Sequence, residues 1–131
     1  MIMKNWYGLL GGRRNQFHQA IHDIISDLGL MLSPTLIIAD GTRVMLSNGP
    51  TGGRLSDIAL GGRLGRPTIV ASVDQVACDG WCCDNLLGAK ASALRYLDLA
   101  YEKFGRLAGR LVERNWQTYR DQGKLVDAGE V

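Results

Sequence analysis

Apolar positions along the chain form two kinds of pattern, stripes and unbroken runs. Phe17, Ile21, Ile24 and Leu28 recur at steps of four, three and four, with Ala20 and Ile25 widening the face. That spacing predicts an amphipathic helix from about Arg14 to Leu28, ended by Gly29. Val76, Asp79, Cys83 and Leu86 share a stripe on a second helix, expected from about Gln75 to Leu87. Leu94, Leu97, Tyr101, Phe104, Ala108 and Leu111 trace a third, from about Ser92 to Trp116, which Gly105 and Gly109 weaken. Thr35 to Ala39 and Thr68 to Ser72 are apolar without alternation, as in strands covered on both faces. They predict a small mixed or parallel sheet, with Arg43 to Leu46 extending or hairpinning from the first strand and Asp57 to Leu60 forming a helical turn. The opening from Met1 to Gly8 has no helical period and reads as extended. The expected fold is α/β: one domain over 1–120 with helices packed on a small sheet, then a polar, frayed tail over 121–131.

Composition narrows the picture. At 131 residues and 46% hydrophobic, the chain has enough apolar material for a real core, and 21% charge is too little for a disordered chain. A net charge of +2 is too mild to argue for a nucleic-acid surface, and nucleic acid is not expected as a partner. Eleven of the fifteen basic residues are Arg, whose planar fork suits oxyanions, so a small anionic ligand stays open. No apolar run approaches the roughly 18 residues a membrane span needs, and no signal peptide is visible, so the expected location is cytoplasmic. Cys78, Cys82 and Cys83 crowd one predicted helix, where neighbours do not bridge easily, and they lack metal-ligand spacing. They read as small buried side chains in a reducing compartment.

The chemistry gathers between Asp40 and Asp79. The first strand run ends in Asp40-Gly41, the second in Ser72-Val73-Asp74, and the glycine-rich stretch Asn48-Gly49-Pro50-Thr51-Gly52-Gly53 lies between them. Strand ends beside a loop are where open α/β sheets hold ligands. Six glycines between Ser47 and Pro67, interrupted by Arg54, Arg63 and Arg66, could bring backbone N–H groups to an anion, although neither a P-loop nor a dinucleotide fingerprint is present. Asp74 suits the N-cap of the following helix. Asp79 sits on an apolar stripe, where a carboxylate is costly unless it is paired or hydrogen-bonded. It reads either as an anchor for the loop backbone or as a catalytic or ligand-binding group. His18 and His22 stand one turn apart, and His18 is the better site-lining candidate.

These blocks resemble the domain of unknown function 362 family. The resemblance runs from Lys4 to Arg106 and rests on Lys4-Asn5-x-x-Gly8, Phe17-His18, Leu36-Ile-Ile-Ala-Asp40-Gly41, Asn48-Gly49-Pro50-x-Gly52-Gly53 and Ala71-Ser72-x-Asp74-x-x-Ala77-x-Asp79. It matches the later half of that domain, so it implies a partial α/β fold whose exposed strand edges a homo-oligomer would cover. Relatives are described as iron–sulfur proteins because a ferredoxin-like CxxCxxCxxxCP segment accompanies the domain. That segment is missing here, and no cluster is expected in this chain.

Two functions follow as expectations. In the first, the protein is redox-associated or binds a metal or small anion. Asp79 and Asp74 would be catalytic; Asp40, Asp79 and His18 would hold a divalent metal. Asn48, Gly49, Gly52, Gly53 and Ser72, with Lys4 and Asn5 from the resemblance, would bind the ligand. In the second, the chain is a non-catalytic accessory half-domain acting as a homo-oligomeric interaction module.

Overall fold

The structure, a computed structural model, describes residues 1–49 and 51–108. Helix α1 (Ile2–Asn5) runs into a 3₁₀ turn over Trp6–Leu9, and α2 (Arg14–Phe17) passes through a second 3₁₀ turn into α3 (Ile21–Met31). Strands β1 (Ile37–Asp40), β2 (Arg43–Met45), β3 (Ile58–Leu60) and β4 (Ile69–Ser72) follow. Helix α4 (Gln75–Cys82) continues as a π-helical turn over Cys83–Leu87, and α5 spans Arg95–Ala108. Leu111, the continuation toward Trp116 and the tail 121–131 lie outside the described residues. Among the described residues, no helix is long and apolar enough to cross a membrane.

The class is α/β, with helices packed on small sheets, and the strands pair antiparallel. β1 pairs β4 with Ile37 opposite Ser72 and Asp40 opposite Ile69; β2 pairs β3 with Arg43 opposite Leu60. The apolar runs therefore do not mark strands buried on both sides. Ile37, Val70 and Ser72 point into the molecule, while Ile38, Ile69 and Ala71 face outward. β-branched composition sets the strand; nothing in this chain's described residues covers its second face.

The core has two parts. Met3, Tyr7, Ile25, Val76, Tyr96, Leu97 and Ala100 join α1, α3, α4 and α5, whereas Ile37, Val70, Cys78, Cys82 and Leu86 join the β1–β4 sheet to the other face of α4. Helix α4 is the wall between them, which is why all but one of its residues are buried. Gln75 ties three elements at its start: its amide donates to the carbonyls of Gly29 (2.7 Å) and Leu32 (2.8 Å), and it accepts from the Trp6 indole (2.6 Å). Lys103 joins α5 to α3 through Asp27 (2.7 Å) and Ser26 (2.6 Å).

Other differences from the sequence pattern have local causes. The opening is helical because Met3 and Tyr7 bury into the core, and four residues are too few to display a helical period. Gly29 lies inside α3 rather than ending it, and its missing side chain makes room for Met3, which a Cβ there would run into. The expected continuous helix from Arg14 is broken at His18–Ala20, and Phe17 is left 37% exposed. The turn near Asp57 is a 3₁₀ turn over Leu55–Asp57, after which Ile58–Leu60 is strand. Gly62, at φ +57°, sits where a side chain would collide with the Leu86 carbonyl. That close approach seats the loop before β4 on the π-helical turn.

Candidate functional site

Asp74 and Asp79 are both hydrogen-bonded to backbone. The Asp74 carboxylate accepts from the N–H groups of Val76 and Ala77, both at 2.9 Å, and so caps α4. Its own N–H donates to the Ser72 hydroxyl (3.0 Å), so Ser72 belongs to the same cap. Asp79 lies one turn further along and has no solvent exposure. Its oxygens accept from Ile2 N–H (2.6 Å), Met3 N–H (3.1 Å) and the Tyr96 hydroxyl (3.2 Å). Asp79 thus anchors α1 and α5 to α4, not the glycine loop. Desolvation raises its pKa, against the positive chain start and these hydrogen bonds. Burial likewise raises that of Tyr96, with the Asp79 charge adding to it.

The glycine-rich loop is built around an anion that the chain itself supplies. Asp57 accepts from the Ser47 hydroxyl (2.5 Å), the Asn48 amide (3.3 Å to either oxygen) and the Arg54 N–H (2.7 Å). These bonds, the Arg54 N–H foremost, hold its pKa below the ordinary carboxylate value. Asn48 adopts a left-handed φ of 56°, and its carbonyl accepts from Gly52 N–H. Gly53 packs over the Met45 thioether.

A cleft of about 460 Å³ opens between α1, β1–β2 and the π-helical turn. Its walls are apolar: Met1, Ile2, Ile38, Ala39, Val44, Met45, Cys82, Leu86 and Leu87. The polar groups reaching it are Asn5, Asp40, Arg43, the backbone at Gly49, and Asp79 behind the wall. Asp40 is exposed at the rim, and the Thr42 hydroxyl and N–H keep its pKa below the usual value, with Arg43 adding a smaller effect. Four of the blocks that carry the family resemblance meet here, through Asn5, Asp40, Gly49 and Asp79. A concave, mostly apolar site with a few polar groups has the makeup of a small-ligand pocket.

The remaining candidates lie elsewhere. His18 is exposed and its Nδ1 is 3.1 Å from the Tyr7 hydroxyl; His22 stacks on Tyr96. Neither lines the cleft, and Asp74, Ser72, Lys4, Gly52 and Gly53 do not line it either. Among the described residues, no three His, Cys, Asp or Glu side chains stand together as a metal-holding group. Cys78, Cys82 and Cys83 are free and buried. Cys83 donates to the Ala89 carbonyl, and burial pushes its pKa up to about 11. The Cys78 thiol is pushed up further, first by its hydrogen bond with Cys82. The three cysteines fill the core around α4 and the π-helical turn. Sequence reasoning missed Arg43 and the apolar wall of Ile38, Val44 and Leu86. The available signal was a guanidinium three residues past Asp40 at the start of an otherwise apolar strand.

The fold and the cleft define a small α/β domain with an apolar pocket beside its first helix. The family model described as Domain of unknown function (DUF362) matches residues 1–84, and the chain belongs to that family. The matched stretch supplies every wall of the cleft except Leu86 and Leu87 and stops before α5. No curated protein and no solved structure matches the chain.

Proposed function

We propose that this domain binds a small organic molecule in the cleft between α1, β1–β2 and the π-helical turn. The observation that carries the reading is the cleft itself: about 460 Å³, apolar walls, and Asn5, Asp40 and Arg43 at its rim. Asp79 and Asp74 serve here as scaffold, since their oxygens are engaged by backbone N–H groups and Tyr96. The binding groups are those at the rim, and the function is recognition. Ligand-observed NMR with benzyl alcohol and 3-phenylpropanoate as probes tests it. Saturation should transfer from the native protein and be lost in Val44→Trp, which fills the cleft from β2. No transfer from the native protein, or transfer unchanged in Val44→Trp at intact stability, would contradict it.

A second reading, a homo-oligomeric interaction module, is supported by the outward face of the β1–β4 sheet. Leu36 (57% exposed), Ile38 (63%), Ile69 (43%) and Val73 (75%) line it, and among the described residues the sheet has two strands. The outer edge of β4 can pair antiparallel with the same edge of a second copy about a two-fold axis at Ala71, bringing each copy's Ile69 against the other's Val73. Sedimentation should then give a dimer that Ala71→Pro converts to monomer; a native monomer at high concentration would sink it.

A further inference from the structure

The rim of the cleft carries one acid and one base. Asp40 ends β1 and Arg43 opens β2, two residues of turn apart, and both line the same opening. Thr42 donates to the Asp40 carboxylate from its N–H (2.8 Å), and its hydroxyl and N–H hold the pKa below the usual value. The other carboxylate behind the wall, Asp79, is wholly buried and engaged by Ile2, Met3 and Tyr96. Its charge is directed at α1 and α5 rather than at the opening. Below the rim the surface is hydrocarbon, with Ala39, Val44 and Leu86 around the space.

Resting on the small-ligand reading of this cleft, we propose that its ligand class is a free apolar α-amino acid, its ammonium held at Asp40, its carboxylate at Arg43 and its side chain against Ala39, Val44 and Leu86. The argument is charge complementarity. A head group with only a negative charge would gain Arg43 but meet Asp40, and one with only a positive charge would gain Asp40 but meet Arg43. A zwitterion with both charged groups on one carbon satisfies each, and the apolar body removes hydrocarbon surface from water at the wall. A chain end fits less well, since a peptide N-terminus offers the ammonium with a neutral carbonyl beside it.

Isothermal titration at neutral pH compares three probes of one shape: L-phenylalanine, 3-phenylpropanoate, which lacks the ammonium, and phenethylamine, which lacks the carboxylate. L-Phenylalanine should bind about fivefold more tightly than either, a preference of the size exposed ion pairs provide. Asp40→Asn should erase the preference over 3-phenylpropanoate, and Arg43→Gln the preference over phenethylamine; both rim changes leave the core untouched. If either half-ligand binds as tightly as L-phenylalanine, or if the rim variants keep both preferences, the amino-acid assignment is overturned while the cleft reading stands. If none of the three binds the native protein, or binding persists in Val44→Trp, the cleft reading falls and the assignment with it.

Discussion

The glycine-rich loop and helix α4 solve the same problem in opposite surroundings. In each, one aspartate gathers N–H and O–H donors from separate pieces of chain: Asp57 collects Ser47, Asn48 and Arg54, and Asp79 collects Ile2, Met3 and Tyr96. The loop aspartate stands near solvent, so its hydrogen bonds dominate and its pKa falls. The helix aspartate is buried, so desolvation outweighs a similar set of donors and its pKa rises. Both carboxylates hold separate pieces of chain together. Burial, not the number of bonds, decides how each responds to pH.

The largest test of that contrast is Asp79→Ala. It leaves two backbone N–H groups and the Tyr96 hydroxyl without their acceptor at the junction of α1, α4 and α5, so urea unfolding should register a loss of about 2–4 kcal/mol. A loss below 0.5 kcal/mol would mean that α1 is held by packing alone.

Next comes the pH dependence. Between the unfolded aspartate value of about 3.9 and its own raised value, folded Asp79 binds its proton more tightly than the unfolded chain does. Native stability should therefore fall as pH climbs through that window, and Asp79→Asn should remove the slope there. Asp57, with its pKa lowered, works on the other side: its contribution is present above about 3.9 and disappears as pH drops through its folded value. Asp40 shares that lower window. Thermal midpoints of native protein and Asp79→Asn from pH 3 to 8 separate the two, and parallel curves above pH 4 would contradict the burial argument.

Asp74→Ala is expected to cost about 1 kcal/mol, the usual worth of an N-cap, with the damage confined to the first turn of α4. The smallest effect belongs to Asp57→Asn. Global stability should scarcely move, while hydrogen exchange at Gly52 and Arg54 accelerates; unchanged exchange would show that the loop does not depend on its internal anion.

How much of this was legible in the sequence divides along the same line. Asp74 could be read as a cap because its partners lie two and three residues away. The burial of Asp79 could be read from its stripe, but not what it binds, since Ile2 and Met3 are more than seventy residues distant and α1 is too short to show a period. Unbroken apolar runs located β1 and β4 to within two residues. They misled on the sheet, because composition records that a face is apolar and not whether this chain covers it. Within the cleft, Asn5, Asp40 and Gly49 were identifiable from motif blocks; Ile38, Val44 and Leu86 were not, because a wall residue and a core residue look alike until the elements are assembled. His18 went the other way, drawn by Tyr7 to a separate surface.

The most direct test of the account is a two-dimensional ¹H–¹⁵N NMR titration of the native chain with L-phenylalanine. The account predicts saturable shifts concentrated in residues 38–45 and 82–87, with the amides around Asp74 and His18 unmoved. Shifts centred on Asp74 or His18, or none anywhere, would contradict the proposal that the cleft beside Asp79, rather than the Asp74 cap or the His18 surface, is where this protein meets its ligand.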